Sequence, residues 1–133
     1  YFLAHPPATP PGSIMMVIAT NAPALPHQLA RMARRAPFAL GRLGSTCASG
    51  SGDFAIAFST TPRLAAPPQQ PSAHTETLLN DGDTLDALFT ATVEALEEAI
   101  LNALCQAETT VGREGHTLHA IPIEPLKQLL GLA

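Results

Sequence analysis

Charge is scarce in this chain. Only 14% of its residues are Asp, Glu, Lys or Arg, while 46% are hydrophobic, and the formal balance is −4. A soluble domain is about one quarter charged on average, so this chain can bury a real core and also expects a partner surface. The balance argues against nucleic acid as the main ligand, because neutralising phosphates takes clustered Lys and Arg. The one cluster, Arg31, Arg34 and Arg35, fits a solvated helix face better than a groove. Cysteine is scarcer still, with two in the chain. Cys47 and Cys105 make no disulfide framework, neither lies in a CxxC motif, and both read as small buried hydrophobes. No apolar run approaches the roughly 18 residues needed to span a bilayer, and no signal peptide is visible. The chain begins with Tyr1 rather than Met, which suggests a segment of a longer protein. Any targeting sequence would then lie upstream, and cytoplasmic and periplasmic locations both stay open.

What is present suffices for one domain of 133 residues and is too short for two. Residues 1–12 (YFLAHPPATPPG) read as an extended, proline-rich tether. The unbroken apolar run Ser13–Thr20 predicts a strand buried on both faces. Leu25, Leu29, Met32, Ala33 and Ala36 recur at helical spacing and predict an amphipathic helix over 24–36, with Gln28 and the three arginines outside the apolar stripe. Residues 41–52, rich in Gly and Ser, predict a loop, and 53–60 a second buried strand. A surface loop is expected at about 61–82. From Leu85 to Leu104 an apolar stripe predicts a long helix over 84–107, capped by Asp83. A turn at 112–115, a strand at 116–121 and a helix from Pro125 to near Gly131 complete a sheet covered by helices.

Ser13 stands where the tether ends and the first strand begins. A serine hydroxyl is a weak nucleophile until a base takes its proton. When serine is the first residue of a chain its own amine can serve, since an α-amine with a pKa of about 7.7–8.0 is partly neutral near pH 7. That requires the bond after Gly12 to be broken first. Gly12, lacking a Cβ, leaves its carbonyl accessible and its backbone free to adopt a strained geometry. Ser51 and Asp53 are two apart at the start of the second strand, so both side chains point one way and could orient the Ser13 amine and hydroxyl. Glycines on either side of Ser51 would let a neighbouring strand end come close. Read without further context, this segment is by default a tight turn before a strand. His116 and His119 point to opposite faces of an extended run and lack a third ligand, so no metal site is expected.

The blocks GSIMMVIATNAPALPHQLARMARRA, GRLGSTCASGSGDFAIAFST, LFTATVEALEEAILNAL and AETTVGREGHTLHAIP, in that order, resemble the C-terminal part of the L-aminopeptidase/D-esterase (β-peptidyl aminopeptidase) family. The resemblance runs from about Gly12 to Leu130. It implies an α/β fold, part of a four-layer α/β/β/α sandwich resembling N-terminal nucleophile hydrolases. It implies a precursor that cleaves itself at Gly12-Ser13, with 1–12 ending an α part and 13–133 forming the β part. Ser13 then becomes nucleophile and base, and Ser51 and Asp53 its hydrogen-bonding partners. The implied substrates are short peptides, amides or esters, and neither metal nor organic cofactor is implied. The α part of the same precursor is the expected partner, in oligomers of αβ pairs. That part is also expected to supply oxyanion donors and the acid that binds the substrate's ammonium. Two departures from the family pattern are Pro10-Pro11 before Gly12 and Asn21 where Asp is expected. The rivals are an acyltransferase of related architecture, usually built on threonine, and a non-catalytic scaffold with Ser13 left inside the chain.

Overall fold

The computed structural model describes residues 12–61, 70–72, 74–79 and 82–132. The tether expected before Gly12, and 62–69, 73 and 80–81 of the expected surface loop, lie outside them. The chain divides into two compact units, Tyr1–Glu97 and Glu98–Ala133.

In the first unit, β1 (Met15–Thr20) and β2 (Phe54–Ser59) pair in parallel, with Met15 opposite Phe54 and Thr20 opposite Ser59. Their connection carries two helices, α1 (Pro26–Ala33) and α2 (Ala36–Arg42). The sequence reading had one helix over 24–36 and a loop from Gly41. The correction lies at Pro37, which falls in the first turn of α2. Proline lacks the N–H that a helix interior needs but suits a helix start, so one helix stops and another begins. The core gathers Met16 and Ile18 of β1, Met32 of α1, Ala36, Ala39 and Leu40 of α2, and Leu85, Phe89 and Leu96 of α3 (Gly82–Gln106). Helix α3 already includes Asp83 in its first turn, so Asp83 is not the cap.

Four further expectations are corrected. The strands are buried on one face only: Met16 and Ile18 point inward, while Met15, Val17, Phe54, Ile56 and Phe58 are 43–62% exposed. The buried stripe of α3 ends at Leu96, and Leu101 and Leu104 are exposed. Both cysteines are exposed, because Cys47 sits in the loop after α2 and Cys105 in the last turn of α3. The arginines are not simply solvated. The Arg35 guanidinium lies 3.9 Å and that of Arg31 4.9 Å from the centre of the Phe89 ring, which clamps α3 against α1 by cation–π attraction.

Gln28, expected on the polar face, is fully buried. Its Oε1 accepts the Leu25 N–H at 2.8 Å, satisfying a free donor at the start of α1. Its Nε2 donates to the Leu78 carbonyl at 3.1 Å, and the Leu78 N–H donates to the Pro23 carbonyl at 2.8 Å. The segment before α3 is thereby strapped to the turn after β1.

The second unit contains the end of α3, then β3 (Thr110–Val111) paired antiparallel with β4 (Thr117–Leu118) around a 3₁₀ turn at Arg113–Gly115. Sequence reasoning had one longer strand at 116–121. The hairpin turns on Glu114 and Gly115, both at positive φ. Helix α4 (Ile123–Leu129) has Pro125 in its first turn, with Gly131 at positive φ just beyond its end.

Replacing Gln28 by Ala in the full-length protein strands the Leu25 N–H and the Leu78 carbonyl. The expected loss is about 2 kcal/mol of stability in urea unfolding. An unchanged midpoint would show that the strap contributes nothing.

Candidate active site

Parallel pairing of β1 with β2 sets residue i beside residue i + 39. Continued past the first paired residues, that register brings Gly12, Ser13 and Ile14 beside Ser51, Gly52 and Asp53. Two of these pairs are joined by hydrogen bonds, and in the third the Ser51 hydroxyl comes within reach of the Gly12 carbonyl. The Ile14 N–H donates to Asp53 Oδ1 at 3.0 Å. The Gly52 N–H donates to Ser13 Oγ at 2.8 Å. Ser51 Oγ lies 3.1 Å from the Gly12 carbonyl oxygen and 2.5 Å from Asp53 Oδ1. The site is thus an extension of the sheet in which side chains replace part of the ladder.

Ser51 has one hydroxyl proton and two acceptors within reach. The shorter contact, to a carboxylate, is charge-assisted and is the stronger of the two. The Gly12 carbonyl therefore faces a donor that is engaged elsewhere. Asp53 Oδ1 accepts two bonds, from Ser51 and from the Ile14 amide, and so ties the β2 start to the β1 start.

Of the glycines flanking Ser51, Gly52 lies close to Ser13: a Cβ there would be 3.4 Å from Ser13 Oγ, at the edge of ordinary contact. Gly12 has φ +110°, a conformation that L side chains rarely adopt, and a Cβ there would meet nothing within 4 Å among the described residues. At Gly12 it is backbone geometry, not crowding, that favours glycine.

Ser13 is exposed at the mouth of an open cleft of about 380 Å³, whose other walls include Leu40, Thr46, Ser51 and Asp53. The cleft lies at the N-terminal ends of two parallel strands. Ligand sites of open α/β sheets ordinarily lie at the C-terminal ends, so sheet topology alone points to the wrong end. That other end is filled here by local bonds: the Ser59 hydroxyl, 2.6 Å from the Ala22 carbonyl, and the Thr60 N–H to the Thr20 carbonyl at 2.8 Å.

Ser13, Ser51 and Asp53, the three residues picked from sequence, are brought together. The Gly52 N–H was missed as a donor to Ser13 Oγ, because backbone groups carry no sequence signal; the flanking glycines were the only trace. His116 and His119 lie in the second unit, and no group of three or more His, Cys, Asp or Glu is placed to hold a metal among the described residues. No helix among them is long and apolar enough to cross a membrane.

Known proteins share this sequence and fold. The beta-peptidyl aminopeptidase BapA of Sphingosinicella xenopeptidilytica is 43% identical over 120 residues, covering 89% of this chain and 29% of that protein. The L-aminopeptidase D-Ala-esterase/amidase of Ochrobactrum anthropi is a prototype for the serine aminopeptidases and a variant of the Ntn hydrolase fold. Its structure superposes with a TM-score of 0.77 at 37% identity, over 90% of this chain and 33% of that one. A Burkholderia sp. beta-aminopeptidase gives a TM-score of 0.76 at 35% identity, over 97% of this chain and 37% of that one. The chain spans 29–30% of the length of the curated relatives it matches. These likenesses bear out the α/β, Ntn-hydrolase-type fold and favour the peptidase reading over the acyltransferase and the scaffold. The family model for peptidase family S58 matches residues 2–118, and the chain belongs to that family.

Proposed function

We propose that this chain is the nucleophile-bearing part of a self-processing serine aminopeptidase, cut between Gly12 and Ser13. The observation that carries the reading is the meeting of Ser13 Oγ, the Gly12 carbonyl, Ser51 Oγ and Asp53 Oδ1 at one exposed cleft. In the first step Ser13 Oγ attacks the Gly12 carbonyl carbon, the hydroxyl proton passes to the Ser13 nitrogen as the C–N bond breaks, and an ester on Ser13 Oγ and a free amine result. Water then hydrolyses the ester to a Gly12 carboxylate and the Ser13 hydroxyl. Ser51, 3.1 Å from the Gly12 oxygen, turns its proton from Asp53 to the developing oxyanion.

After the cut, the Ser13 amine is a base within reach of its own hydroxyl. It accepts the hydroxyl proton as Oγ attacks a substrate carbonyl, then returns it to the departing amine. Ser51 and Asp53 orient it. The substrate class is short peptides, amides or esters with a free N-terminus. The relatives' printed activities, beta-peptidyl aminopeptidase and L-aminopeptidase D-Ala-esterase/amidase, support that range.

The partner in this reading is the upstream part of the same precursor. Sheets of parallel strands are ordinarily covered on both faces, yet one face of β1 and β2 shows Met15, Val17, Phe54, Ile56 and Phe58 to solvent. Two strands alone are also too few to stand as a sheet. Residues 1–12 then end the upstream part, and 13–133 form the downstream one.

Ser51→Ala is expected to slow cutting of the full-length protein about 100-fold, the usual effect of losing one oxyanion donor. Time-resolved intact mass reads this, and an unchanged rate would remove Ser51 from the step. Cut wild type is expected to hydrolyse aminoacyl p-nitroanilides with a free amine and to spare their N-acetylated forms. Equal turnover of both would argue against an aminopeptidase.

A further inference from the structure

We propose that a second cavity adjoining the cleft is the subsite for the side chain of the residue released, and that Cys47 limits the size it takes. This rests on the aminopeptidase reading. The cavity has about 420 Å³, within the range of small-molecule sites. It lies between the start of β2 and the corner joining α1 to α2. Met16, Ala36, Pro37, Leu40, Cys47 and Ala55 give it a mostly apolar wall, with the exposed Arg34 also on its lining.

Two observations connect it to the reacting atoms. Leu40, Ser51 and Asp53 line both the cleft and the cavity, so the catalytic pair is their common wall. The second concerns Gly12. Ser13 Oγ attacks the Gly12 carbonyl during cutting and the substrate carbonyl during turnover, so the released residue takes the place that Gly12 holds before the cut. A Cβ at that place meets nothing within 4 Å among the described residues, and its carbonyl oxygen lies 3.1 Å from Ser51 Oγ. A substrate side chain starting there has open space around it, and Ser51 and Asp53, which wall the cleft where Gly12 sits, also wall the apolar cavity. The occupant is therefore an aliphatic side chain on an aminoacyl amide, with its free amine and carbonyl left in the polar cleft.

The test uses the cut full-length protein and p-nitroanilides of glycine, alanine, 2-aminobutyrate and leucine. In wild type kcat/KM is expected to rise about fourfold for each methylene, the gain from burying it. Cys47→Phe fills the cavity, and the leucine-to-glycine ratio of kcat/KM is expected to fall about fifteenfold, the gain from two methylenes. Should that variant not fold, N-ethylmaleimide on native Cys47 in a Cys105→Ser background gives the same comparison. A ratio unchanged by both fillings, or a wild type indifferent to side-chain length, overturns the subsite while leaving the peptidase reading intact. No hydrolysis of any of the four by cut wild type overturns the peptidase reading and the subsite with it.

Discussion

The parallel register of β1 against β2 is the constraint on which the rest depends. The side-chain contacts that Ser13, Ser51 and Asp53 make across the strands join residues 39 apart, the same offset that pairs Met15 with Phe54. A slip of one residue would turn alternate side chains to opposite faces. Met16 and Ile18 would leave the core, and Ser51 and Asp53 would turn away from Ser13. Core packing and site chemistry are therefore one requirement, and burial of Met16 and Ile18 is what holds Ser13 Oγ against the Gly52 N–H. Asp53 closes the arrangement by accepting from both Ser51 and the Ile14 amide.

Much of this was legible from residue types and spacing. Ser51 and Asp53 sit two apart in extended backbone, which puts them on one side, and the glycines around Ser51 announced a close approach. Three things were not legible. Pro37 reads as a helix end, yet it begins α2. Gln28 looks like a surface residue until its two partners, Leu25 and Leu78, are seen, and Leu78 is fifty residues away in sequence. The arginine cluster suggests solvent, while Arg31 and Arg35 cover the Phe89 ring. Each miss depends on a contact distant in sequence or on a backbone group, and periodicity registers neither.

The apolar runs of β1 and β2 also bear on the proposed upstream partner. Continuous apolar character predicts two covered faces, and the structure covers only one. The low charge noted at the outset has the same origin: Met15, Val17, Phe54, Ile56 and Phe58 are apolar on a surface that a free domain would make polar. An account that supplies an upstream partner explains composition, sheet exposure and the position of Ser13 together.

The most direct test is the intact mass of the full-length precursor beside its Ser13→Ala variant. The account requires two chains from the wild type, the smaller beginning at Ser13, and one uncut chain from the variant. One uncut chain from both would leave the Ser13 amine locked in a peptide bond, and the proposed chemistry could not run.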